Sequence, residues 1–157
     1  MTLDAQILLE QFAVGERTFD HAKLDGCKFK AVNLAQISLE GASLDSAFFL
    51  GTNLSEANLR NAQLVDANIH NANLANADLS GANLEGANLE GSNLSGANLS
   101  GTNLKSASLR KANLTGANLN QANLNSAALL DANLENAQLE GSVLTGALIK
   151  GTLLDQP

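Results

Sequence analysis

From Phe19 to Leu154 every fifth residue is large and apolar, 28 positions without a break, filled by 23 Leu, 3 Phe and 2 Ile. With this position called i, the residue at i−2 is Ala in 19 of the 28 units. The residue at i−1 is Asn or Asp in 15 of them, and 12 of the 13 glycines stand at i+2. Such a register has to be read before any helix or strand is assigned.

A period of five fits neither ordinary element. On an α-helix five residues advance about 500°, so the leucines would wander around the cylinder. On a flat strand an odd step sends successive leucines to opposite faces. All 28 can lie inside only if the chain turns a corner every five residues and winds about its own axis. Positions i−2 and i then share the inward side of a short extended segment, and i−1 points out. Small Ala and bulky Leu alternate into a narrow interior, and Gly at i+2 suits the corner. The spacing specifies a solenoid and leaves three sides or four open. Such coils stand only when stacked, because backbone hydrogen bonds between neighbours must add to the leucine column.

At 157 residues the chain has the length of one domain. Its net charge of −7 argues against a nonspecific hold on phosphate backbones, so no nucleic acid is expected as a direct partner. The single cysteine excludes an internal disulfide framework and a cysteine-built zinc site. No apolar run approaches the roughly 18 residues of a membrane helix. Met1-Thr2-Leu3-Asp4 lacks the positive start of a secretory signal, so a cytoplasmic protein off the membrane is expected. His21 and His70 lie about two and a half coils apart and cannot share a metal, and Cys27 at i−2 reads as an inward stand-in for Ala. No serine has a histidine one step away, and every repeat Gly leads into another extended segment rather than a helix. No catalytic, cofactor or metal residue is assigned, and a non-enzyme is expected.

Units such as Ala82-Asn83-Leu84-Glu85-Gly86 and Ala97-Asn98-Leu99-Ser100-Gly101 resemble the A(N/D)LXX repeat of the pentapeptide-repeat family, over nearly the whole chain. The resemblance implies an all-β fold, a right-handed quadrilateral parallel β-helix with four units per coil. Twenty-eight units would make about seven coils, a rod of roughly 34 Å at a strand spacing of about 4.8 Å. Asn73, Asn93 and Asn113, twenty residues apart, should then stack as a ladder. The segment from Leu8 to Arg17 resembles the lead-in of family members from photosynthetic bacteria, which suggests a regulatory role there.

The two ends read differently. Residues 1–16 form an expected helical cap on the β-helix of 17–157. Thr2 or Asp4 would cap the helix, Leu3, Ile7, Leu8 and Phe12 would be its apolar stripe, and Gly15 its stop. At the other end the outward i−1 positions become Val143, Leu148 and Leu153. These three are candidate contacts of a homodimer through the C-terminal coil.

With four units per coil, residues twenty apart share a face. The first face, through Leu39, Leu59 and Leu79, carries Asp20, Glu40, Asp78 and Glu140 against Arg60, net −3. The second, through Leu24 and Leu44, is net −2, and the fourth, through Leu34 and Leu54, net −3. The third, through Phe29, Phe49 and Ile69, is net +3 and shows Phe48, Leu50, Leu130 and Leu148 outward among its cations. Lys28, Lys30, Phe48, Leu50, Arg110, Lys111 and Leu130 are therefore the candidate surface for a protein partner. The function expected is a non-catalytic scaffold for protein–protein interaction. The alternative, implied by family members that protect DNA gyrase, is mimicry of DNA. B-DNA carries about one charge per 1.7 Å, so the rod would need about twenty negative charges.

Overall fold

The computed structural model describes residues 4–155, so the expectations placed on Thr2 and Leu3 lie outside the described residues. The chain winds as a parallel solenoid. Twenty-three β-bridges run from Thr18↔Ser38 to Ala128↔Leu148, and each joins i−1 residues twenty apart. Four pentapeptides therefore complete one coil.

One unit shows how the backbone is satisfied. Ala72 N–H closes the corner onto Ile69 O at 3.1 Å, and Asn73 N–H donates to Thr52 O in the coil before at 2.9 Å. Leu74 and Asn76 donate to Asn93 O and Ser95 O in the coil after, at 2.7 and 2.9 Å. The fifth donor, Ala75 N–H, is accepted by the Asn73 side-chain Oδ1 at 3.2 Å. Asn at i−1 is therefore a backbone partner as well as an outward side chain, because no main-chain acceptor faces the i+1 N–H.

All 27 corner residues at i+2 from His21 to Gly151 have positive φ, yet only twelve are glycine. A corner side chain in one coil fixes glycine below it in some columns. A Cβ on Gly81, for instance, would sit 2.5 Å from Asn61 Oδ1. There glycine answers both the left-handed backbone and the lack of space.

Inside, every i residue from Phe19 to Leu134 is buried, alternating from Ala42 onward with small i−2 residues, while Val32 and Ile37 widen the core near the helix. Phe29 and Phe49 stack with ring centroids 5.2 Å apart. Where a hydroxyl replaces Ala it reaches a carbonyl. Ser92 and Thr102 donate to Leu89 O and Leu99 O at 2.7 Å each, and Thr52 to Phe29 O.

Helix α1 (Ala5–Ala13) closes the first coil. Asp4 caps it by accepting from Ile7 N–H at 2.9 Å, Leu8 is fully buried, and the chain leaves through Gly15 at φ +107°. Arg17, where a small residue is the rule, is explained by this junction. Its guanidinium donates to Phe12 O and Glu16 O at 2.8 Å each and lies 3.9 Å from the Phe12 ring centroid. Cys27 packs beneath the helix, and burial pushes its thiol up against the lowering effect of Ala5 N–H. At the far end a 3₁₀ turn, Leu153–Asp155, lays Leu154 against the core. This turn is an addition to the sequence reading, which placed no helical element there. Even so, Leu139, Leu144 and Ile149 are only half-buried.

Candidate interaction face

The third face is a grid. Its i−1 column reads Lys28, Phe48, Asn68, Asn88, Ser108, Ala128, Leu148, and its i+1 column Lys30, Leu50, His70, Glu90, Arg110, Leu130, Lys150. Lys28 Nζ stands 5.9 Å from the Phe48 ring centroid, and Phe48 is 41% exposed. Leu50 and Leu130, read as outward from the sequence, are half-buried. The physical reason is the column itself: each is flanked one coil above and below, Leu50 by Lys30 and His70 and Leu130 by Arg110 and Lys150. Lys30, Arg110 and Lys111 are exposed, Lys111 at a corner with φ 55°.

The fold brings these residues together as two clusters on one wall. Lys28, Lys30, Phe48 and Leu50 form the first, and Arg110, Lys111 and Leu130 the second. Leu50 and Leu130 lie four coils apart, roughly 19 Å. Val143, Leu148 and Leu153 are all exposed, at 47%, 51% and 57%, but they ring the last coil across three faces. Near that end Asp131–Leu134 and Gly151–Leu153 line a pocket of about 260 Å³.

What separates the third face from the others is how its polar groups are spent. On the fourth face Asn53, Asn73, Asn93 and Asn113 each donate Nδ2 to the Asn Oδ1 one coil earlier, at 2.9 to 3.3 Å, the expected ladder. The first face runs Asn118 to Asn98 to Asp78, and the second Asn123 to Asn103 to Asn83 to Gln63. Two cations there are paired, Arg60 with Glu40 at 2.7 Å and Lys105 with Glu85 at 3.2 Å. Lys105 and Asn103 hold the Glu85 carboxyl below the usual range. Among the described residues no outward side chain of the third face makes such a bond between coils. Arg110 does not pair with Glu90, although Lys105 and Glu85 pair in that same register. Asn68 and Asn88 accept from His70 N–H and Glu90 N–H, at 3.2 and 3.0 Å, and among the described residues their amide N–H groups have no acceptor. The twenty-residue period was enough to find the charged and apolar residues; the uncommitted amides of Asn68 and Asn88 were not visible until the other ladders were drawn.

Chemistry of other kinds finds little support in the geometry. His21 lies over Gly41, and His70 Nε2 takes the Asn71 amide at 3.1 Å while its Nδ1 is buried without a partner. Among the described residues no three His, Cys, Asp or Glu converge to hold a metal ion. No helix there is long and apolar enough to cross a membrane.

A four-sided parallel solenoid of pentapeptides, with Leu inside at i and Ala at i−2, defines a class of repeat protein. The family model for pentapeptide repeats (8 copies) matches residues 22–61, 62–101 and 107–146, and the chain belongs to this family. Its members fold as right-handed quadrilateral β-helices. Among solved structures the chain is similar to HetL, a pentapeptide repeat protein involved in heterocyst differentiation regulation from the cyanobacterium Nostoc sp. strain PCC 7120. Identity is 28%, coverage 96% of this chain and 97% of that one, TM-score 0.32. It is similar to Rfr23 from the cyanobacterium Cyanothece 51142 at 30% identity, covering 92% and 95%, TM-score 0.45. A trypsin-treated R167E form of QnrB1, a plasmid-mediated fluoroquinolone resistance protein, shares the fold at 20% identity, covering 87% and 85%, TM-score 0.51. Among curated proteins none matches.

Proposed function

We propose that the chain is a rod of about seven coils, a non-catalytic scaffold that docks a protein partner on its third face. The observation that carries the reading is the missing side-chain ladder on that face. Each of the other three walls carries a ladder of outward amides, and both ion pairs among the described residues lie there. On the third the cations and the amides of Asn68 and Asn88 make no hydrogen bond or ion pair between coils among those residues, and Phe48 is exposed. Exposed aromatic and aliphatic groups among cations are the composition of an interface. Similarity to a regulatory protein such as HetL is in keeping with a role of this kind.

The test compares retention from native lysate by the wild type and by a variant with Phe48→Ser, Leu50→Ser, Arg110→Glu and Lys111→Glu, after melting shows both folded. A protein held by the first and lost by the second is expected. Equal retention by both removes the reading.

Gyrase mimicry is the second reading, favoured by the fold shared with QnrB1. Charge opposes it: about twenty negative charges would be needed over roughly 34 Å, and the chain offers −7 with one wall net positive. Purified gyrase should supercoil DNA unhindered at low-micromolar rod, and inhibition there would reverse the order of the two readings.

A further inference from the structure

We infer that the third face is built to hold an acidic segment of another protein, laid along the rod across both basic clusters. The inference rests on the docking reading and adds the chemistry of the partner.

The face carries five cations against two carboxylates, Glu90 and Asp131, so donors and positive charge are in excess. Lys28, Lys30, Arg110, Lys111 and Lys150 have no carboxylate within 4 Å among the described residues, since both ion pairs lie on other walls. Asn68 and Asn88, between the clusters, have spent their acceptors on their own backbone and keep their amide donors. A complementary surface must therefore bring acceptors, and carboxylates bring them with the charge these cations lack. Phe48, Leu50 and Leu130 ask for apolar groups beside them.

That mixture selects protein over nucleic acid. A duplex would face the negative charge of the two adjoining walls, net −2 and −3, and a single strand would find only one aromatic side chain, Phe48, to stack on. A second copy docking third face to third face would set cation against cation. Length follows from the grid. An extended chain advances about 3.3 Å per residue, so the roughly 19 Å between Leu50 and Leu130 spans about six residues. The segment should carry an apolar residue flanked by carboxylates, twice, six residues apart.

The probe is a fluorescein-labelled peptide, Glu-Leu-Glu-Gly-Ser-Gly-Glu-Leu-Glu, titrated with the full chain and followed by anisotropy. Its counterpart with Lys for Glu and a short DNA duplex serve as competitors. Wild type should bind the acidic peptide, more weakly as salt rises. Arg110→Glu with Lys111→Glu should weaken binding roughly tenfold or more, while Lys23→Glu on the second face should leave it unchanged. Lys111→Gly separates binding from folding. It relieves a positive φ, so the melting temperature should rise while peptide affinity falls. The inference is overturned if the Lys peptide or the duplex binds as well as the acidic peptide, or if the Arg110/Lys111 reversal binds like wild type. It also falls if no acidic peptide binds. In that last case a lysate protein still lost from the third-face variant leaves docking standing without an acidic partner, and its absence takes docking down as well.

Discussion

A residue in this rod is judged mostly by the one twenty positions away. Asn61 and Gly81 show it: the left-handed corner at 81 would strain any L side chain, and Asn61 Oδ1 occupies the space its Cβ would take. Gly81→Ala should cost about 1–2 kcal/mol, and part of that should return in an Asn61→Gly background, because only the steric share is shared. Urea unfolding of the four proteins in the cycle checks this; strictly additive losses would mean that backbone strain alone is at work. The inward column was legible residue by residue, since a five-step period can bury every i residue only in a chain that turns a corner at each unit. The corners were legible where they held Gly. Ala31, Gln36 and Lys111 take the same left-handed conformation with nothing in their side chains to announce it, because the stacked coils impose it. Nor did the sequence reveal that Asn at i−1 answers the fifth N–H, which follows only from where the other four go.

At the scale of an element, α1 has nine residues, too few to persist alone in water. Its stability comes from the coil it covers. Leu8 fills the opening, Asp4 holds the first turn, and Arg17 ties the last turn to the first repeat unit. Leu8→Ala should therefore release the helix as a unit and cost about 2 kcal/mol or more. Cys27, sheltered below with its thiol pushed up by burial, reports the event. Its reaction with a disulfide reagent at neutral pH should be slow in the wild type and clearly faster in Leu8→Ala; equal rates would place the helix elsewhere. The apolar stripe and the Gly stop made this element readable in advance. Arg17 was readable as a junction residue from its breach of the small-residue rule, but its bond to the Phe12 carbonyl and its place over the Phe12 ring were not.

The molecule as a whole is closed at one end more completely than at the other. Beneath the coil sealed by α1 the pillar is dry as far as Leu134, whereas Leu139, Leu144 and Ile149 keep part of their surface, ringed by Val143, Leu148 and Leu153. We propose that a second copy shares this coil. Sedimentation at tens of micromolar should show dimer for the wild type and monomer for Leu148→Asp; a wild-type monomer would dismiss the proposal. The asymmetry of the walls was legible at this scale too, from charge taken twenty at a time. What charge could not separate was a tolerated patch from an unspent one, which needed the hydrogen bonds of all four walls.

The twenty-residue stacking also governs how such a chain can change length. Removing residues 62–81 takes out one storey and leaves every later side chain above its old neighbours' column. Removing only five, 72–76 for example, turns everything downstream by a quarter, and Arg110 moves around the corner from the wall that holds Phe48. Loss of a whole storey leaves the two clusters on one wall, one coil closer together; loss of a single pentapeptide puts them on different walls.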